Sequence, residues 1–158
     1  MKSIVKTVFI AVVSMAAFAS CTQKEIIFDH PFVYITDKNN AATSTVNCMG
    51  ELIESYTVYM STKMPNKDIN VYFEIIAGNG LQNGIDYTLL TDPSAPLLFP
   101  NGTFQRDIRI QWLKHALDSS KDNTLRIVLT GSSENFTLGM PGPAENFKQH
   151  IITKIVTD

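Results

Sequence analysis

From residue 26 onward the chain is written largely in period two, with apolar and polar residues taking turns over short runs. Residues 55–62, SYTVYMST, set Tyr56, Val58 and Met60 on one face of a strand and Tyr59 on the other. Residues 69–76 alternate again, with Ile69, Val71, Phe73 and Ile75 inward and Tyr72 and Glu74 outward. In TFQRDIRIQW, residues 103–112, Phe104, Ile108, Ile110 and Trp112 share a parity that reads as core. Arg106 falls on that same parity, which places it at the exposed start of the strand or at a bulge. Residues 124–130, TLRIVLT, turn Leu125, Ile127 and Leu129 inward, and FKQHIITKIVT at 147–157 is a last, β-branched strand.

The weaker runs complete the set. IIFDHPFVYI at 26–35 contains Pro31, which suits an edge strand or one broken in two. TSTVNC at 43–48 is β-branched, and Cys48 shares its parity with Val46, so it reads as a small buried residue. Residues 113–123 suit one helical turn or a loop, and short β content is expected at 136–138 within the loop that follows residue 130. MPNKD at 64–68 and PNG at 100–102 are turns. Gly78, Gly80 and Gly84 are expected to take positive φ through AGNGLQNG, and Asp86 to cap the turn before Tyr87. No amphipathic helix of useful length appears. About seven short strands separated by turns predict an all-β, antiparallel sandwich.

The N-terminus follows other rules. Lys2 and Lys6 precede an apolar run at 8–19, too short for a spanning helix, which needs about 20 apolar residues. Phe18, Ala19 and Ser20 then lead into Cys21 at the point where polar sequence, TQKE, begins. This resembles the bacterial lipobox. The resemblance implies a signal peptide at 1–20, lipid on Cys21, a short tether at 21–25 and one sandwich domain at 26–158. It also implies an outer-membrane lipoprotein facing the cell surface or the periplasm, anchored without a transmembrane helix. With Cys21 lipidated, Cys48 has no partner for a disulfide.

Charge removes one class of partner. The 13 basic and 15 acidic residues give a net charge of −2, and the mature chain loses two lysines more. Nucleic acid requires a clustered positive face, which this chain lacks.

Order and spacing carry a further resemblance. NGIDYTLL, then LLFPNGTFQRDIRI, an Asp-containing loop, TLRIVLTG, and FTLGMPGP before a last strand are similar to a Calx-beta module over residues 55–157. The same layout occurs in Calx-beta-like, immunoglobulin-like domains of Bacteroidetes lipoproteins. What the resemblance implies is an immunoglobulin-like sandwich and, as partner, a glycan beside a polysaccharide-uptake system. Calx-beta modules proper bind calcium through acidic end loops. Here the corresponding loop offers Lys114, His115 and Ala116, with Asp118 and Asp122 beyond, so no metal is expected.

Catalytic signatures are absent from the sequence: no G-x-S-x-G elbow, Walker loop or H-E-x-x-H occurs. His30, His115 and His150 lack metal-ligand spacing and read as scattered surface or turn residues. The expectation is a non-catalytic protein without cofactor. Tyr59 and Tyr72, outward on strands expected to be neighbours, are the candidate ligand-binding residues, since exposed aromatic rings stack on sugars. The competing expectation is a structural module that packs against another envelope protein and binds no small ligand.

Overall fold

The computed structural model describes residues 30–63, 66–142 and 146–156. The expected signal peptide at 1–20, Cys21, the expected tether and the first residues of the 26–35 run lie outside these. The described chain forms ten strands and no helix. They are β1 (Phe32–Thr36), β2 (Thr43–Asn47), β3 (Leu52–Ser61), β4 (Ile69–Ala77), β5 (Tyr87–Leu89), β6 (Leu97–Phe99), β7 (Gln105–Trp112), β8 (Thr124–Ser132), β9 (Thr137–Leu138) and β10 (Gln149–Ile155). Two five-stranded sheets result: β5-β7-β3-β1-β9, here sheet one, and β2-β10-β8-β4-β6, here sheet two.

Their inner faces meet in one core. Tyr56, Val58 and Met60 of β3 and Ile108, Ile110 and Trp112 of β7 face Ile69, Val71 and Phe73 of β4 and Leu125, Ile127 and Leu129 of β8. These are the residues that alternation turns inward, and burying each stabilises the fold by about 1.5–3 kcal/mol. Ile75 is only half-buried against them. Arg106, second residue of β7, is exposed where the strand starts. Cys48 is buried.

Three expectations need correction. The strands number ten rather than seven, because Tyr87–Leu89 and other short pieces pair at sheet edges. The sandwich is not wholly antiparallel: β1 runs parallel to β9, and β2 parallel to β10. One cause accounts for both pairings. After Thr36 the chain leaves sheet one, turns through 37–42 and joins an edge of sheet two, so its first strand is divided between the sheets. The Asp37 carboxylate shapes that turn, accepting from Asn39 N at 2.9 Å and Ala41 N at 2.8 Å, with Asn40 at φ 58°.

The glycines are the third correction. Among the three in AGNGLQNG only Gly84 has positive φ, 82°. Gly78 and Gly80 are required by proximity: a Cβ on either would collide with Asp122 or Asn123 of the loop before β8. Gly80 N donates to Asp122 O at 2.9 Å, which holds the two loops at that separation. Residues 113–123 form no helix; they are the loop against which this turn packs.

Candidate functional site

Tyr59 leaves the core face of β3 by parity, and register decides what it meets. Tyr34 of β1 lies directly opposite, and directly opposed side chains on one sheet face approach to contact. The two rings stack, with centroids 5.2 Å apart and planes 20° from parallel. Phe32, two residues before Tyr34 and therefore on the same face, lies 5.8 Å from it. Phe147, from the loop before β10, meets Tyr34 edge-on at 6.4 Å. Its φ of 62° is unfavourable for a bulky residue and is held by a 2.9 Å hydrogen bond from Ile35 N to the Phe147 carbonyl.

Four half-buried aromatic rings thus form a patch on the outer face of sheet one. Polar groups border it: Gln105 stands opposite Tyr59, and Thr57 donates to Asp107 at 2.8 Å one step along the sheet. Burial, then the neighbouring Tyr59, pushes the Tyr34 phenol up from its ordinary pKa, so it stays protonated and able to donate. An apolar aromatic patch with hydrogen-bonding edges is chemistry that can meet the apolar face of a pyranose ring.

Tyr72 does not join it. β3 and β4 belong to opposite sheets and do not form a hairpin. Tyr59 and Tyr72 consequently face away from each other. Tyr72 is 46% exposed and stands over Gly131 at a register shift in β4.

Two polar clusters within the fold were not expected. At the pole where β4, β7 and β10 end, Lys154 is fully buried. Its ammonium donates to Asp86 Oδ1 at 3.0 Å, Asp86 O at 3.2 Å and Leu113 O at 2.9 Å, which uses all three protons. Asp86 Oδ2 accepts from Gln82 N at 2.9 Å, the turn cap that was expected, and His115 Nδ1 lies 3.0 Å from Oδ1. Burial alone would raise the Asp86 pKa. The hydrogen bonds from Gln82, Lys154 and His115 outweigh it and hold the carboxyl below its ordinary range.

His150 corrects the expectation of a surface histidine: it is fully buried. Its Nδ1 lies 3.1 Å from Ala41 O, which can only accept, so the proton is assigned there and Nε2 faces Ser44 Oγ at 2.9 Å. Burial lowers its pKa against the opposing pull of Asp37, so the ring is neutral. Its ring packs 4.9 Å from that of Tyr56. The Tyr56 hydroxyl donates to Glu54 at 3.0 Å and accepts from Trp112 Nε1 at 3.3 Å. A serine beside a histidine has the spacing of a nucleophile and its base. Here both ring nitrogens are engaged and the ring is buried, so the contact ties β2 to β10 and β3.

Among the described residues no group of three or more His, Cys, Asp or Glu side chains is placed to hold a metal ion. No protein-family model and no curated protein matches the chain.

Proposed function

We propose that this protein is a lipid-anchored, non-catalytic envelope lipoprotein whose Calx-beta-like, immunoglobulin-like domain binds glycan on the outer face of sheet one, as an accessory to polysaccharide uptake. The stacked pair Tyr34–Tyr59 carries the reading, with Phe32 and Phe147 extending the aromatic patch. Cys21 at the end of an apolar leader supports the anchor. β1 begins eleven residues after Cys21, a reach of at most about 40 Å, so the aromatic face is held close to the membrane.

Calorimetric titration of the domain with a panel of soluble polysaccharides tests the binding. Tyr34→Ala and Tyr59→Ala should each weaken binding about tenfold, a factor equivalent to roughly 1.4 kcal/mol. Tyr72→Ala, on the opposite sheet, should leave it unchanged. Absence of heat with every glycan, or equal losses from all three substitutions, rejects the reading.

A structural module that packs on an envelope protein is the second reading. Tyr72 and Leu98, 46% and 42% exposed on the outer face of sheet two, favour it. On that reading Tyr72→Ala, and not Tyr59→Ala, would abolish retention of one protein partner from envelope extracts.

A further inference from the structure

A seam runs down one side of the sandwich where the chain changes sheets. β3 is ten residues long, but β1 pairs with it only from Thr57 to Ser61. Below Thr57, residues 52–56 pair with β7 alone among the described strands. Backbone direction along β3 follows from two bonds. Met60 N donates to Phe104 O on the β7 side, and Ile35 N of β1 points away from β3 to Phe147 O. By alternation, Leu52, Glu54 and Tyr56 turn their amides and carbonyls to β7. Ile53 and Ser55 turn theirs to the open edge, where no described strand receives them.

An edge of this kind is a template for one more strand unless it is blocked. A depression of about 200 Å³ lies beside it, lined by Asp37, Lys38, Leu52, Glu54 and Tyr56 among others. Two carboxylates, of Asp37 and Glu54, line it against one cation, Lys38, which is largely exposed and 3.4 Å from Glu54. Asp37 is committed to its own turn, but Glu54 is held by a tyrosine hydroxyl and this single long contact. Arg109 stands opposite Ser55 on β7, across β3 from the open edge.

We propose that this seam accepts an extended, basic segment of a partner protein, which adds to β3 as a strand through the backbone groups of Ile53 and Ser55. Main-chain hydrogen bonds supply the affinity, and a lysine or arginine of the segment replaces Lys38 at Glu54. The surface is separate from the aromatic patch, so glycan binding and strand addition succeed or fail independently.

The probe is a capped peptide of alternating lysine and valine, about eight residues long, the length of an ordinary strand. It is titrated against the labelled domain by fluorescence anisotropy. Saturable binding is expected, together with slower exchange of the Ile53 and Ser55 amide protons. Ser55→Pro removes an edge amide that β7 does not use, so the variant should fold, as circular dichroism would show, and bind about tenfold more weakly. The same peptide N-methylated at alternate residues leaves the protein untouched and should also lose binding. A glutamate-for-lysine peptide should bind poorly. Equal binding by the N-methylated peptide, or by the folded Ser55→Pro variant, overturns the proposal. So does a dimer in sedimentation that Ser55→Pro dissolves, because the occupant would then be a second copy of this chain.

Discussion

Lys154→Met removes a cation while keeping most of the side-chain volume, and so isolates what the buried ion pair contributes. Lys154 and Asp86 side chains are 0% and 3% exposed. Without the ammonium, the Asp86 carboxylate stays buried with Gln82 N and the half-exposed His115, and Leu113 O loses its hydrogen-bond donor. Removing one partner of a buried pair costs about 3–5 kcal/mol. Because Asp86 retains two donors, and its main-chain oxygen retains Leu113 N, the lower end applies, about 3 kcal/mol. Against a total stability of about 5–15 kcal/mol this is a large fraction. It corresponds to a fall in Tm of roughly 10–15 °C for a domain of this size.

Urea unfolding followed by the fluorescence of Trp112, the single tryptophan, measures the change. The midpoint should drop with little change in slope. Asp86→Asn keeps the turn cap but leaves the cation without its counter-charge. The double variant should therefore be more stable than the sum of the single losses predicts, by about 1–3 kcal/mol. The sign of the pH effect follows from the depressed Asp86 pKa. Its contribution is present above the unfolded value of about 3.9 and is lost as pH falls toward the folded one. In Lys154→Met that depression shrinks and the acid limb flattens. A loss below about 1 kcal/mol, or additive single effects, would refute the reasoning, since the pair would then be held by packing alone.

Four further outcomes follow from the same geometry. His150 has a folded pKa below its unfolded value of about 6.5, so its stabilisation is complete above that pH and fades as pH falls below it. His150→Gln should remove this limb in thermal melts between about pH 7 and pH 5 while leaving the limb due to Asp86. Gly80→Ala, whose Cβ would strike the 122–123 backbone and side chain, should cost about 1–3 kcal/mol in urea unfolding. Gly50→Ala, with 3.5 Å to its nearest neighbour, should change stability by less than about 1 kcal/mol. Cys48, 2% exposed, should react with a thiol reagent only at the rate at which the region around it opens, measured by labelling against urea concentration.

Alternation made the central strands legible: apart from Ile75 and Arg106, β3, β4, β7 and β8 bury the apolar residues their parity points inward. The aromatic patch was half legible. Tyr59 could be assigned to an outer face, but its neighbour could not, because a turn-like 62–68 serves equally for a hairpin and for a crossing between sheets. The hairpin makes Tyr72 its neighbour; the crossing leaves β1 to supply Tyr34. Parity within FVYIT puts Phe32 and Tyr34 together, and a pair of aromatics two apart on a suspected edge strand was the available signal.

The buried ion pair and His150 were illegible for a stronger reason. In β10 the two parities are Gln149, Ile151, Thr153, Ile155 and His150, Ile152, Lys154. By hydrophobicity the first belongs inside, since it holds two isoleucines and no charge. The fold puts the second inside, and a one-residue slip would exchange the faces entirely. What selects the polar face is hydrogen-bond partners distant in sequence: Asp86, 68 residues from Lys154, and Ser44, 106 from His150. Buried polar groups favour only the arrangement that satisfies them, so these contacts fix the register of β10 against β2 and β8 at the cost of desolvating a lysine. It follows that replacing Lys154 and Asp86 together by apolar residues should leave overall stability closer to the original than either single change. The cost should fall on specificity: β10 amides would exchange faster relative to those of β8, as a strand released from one register.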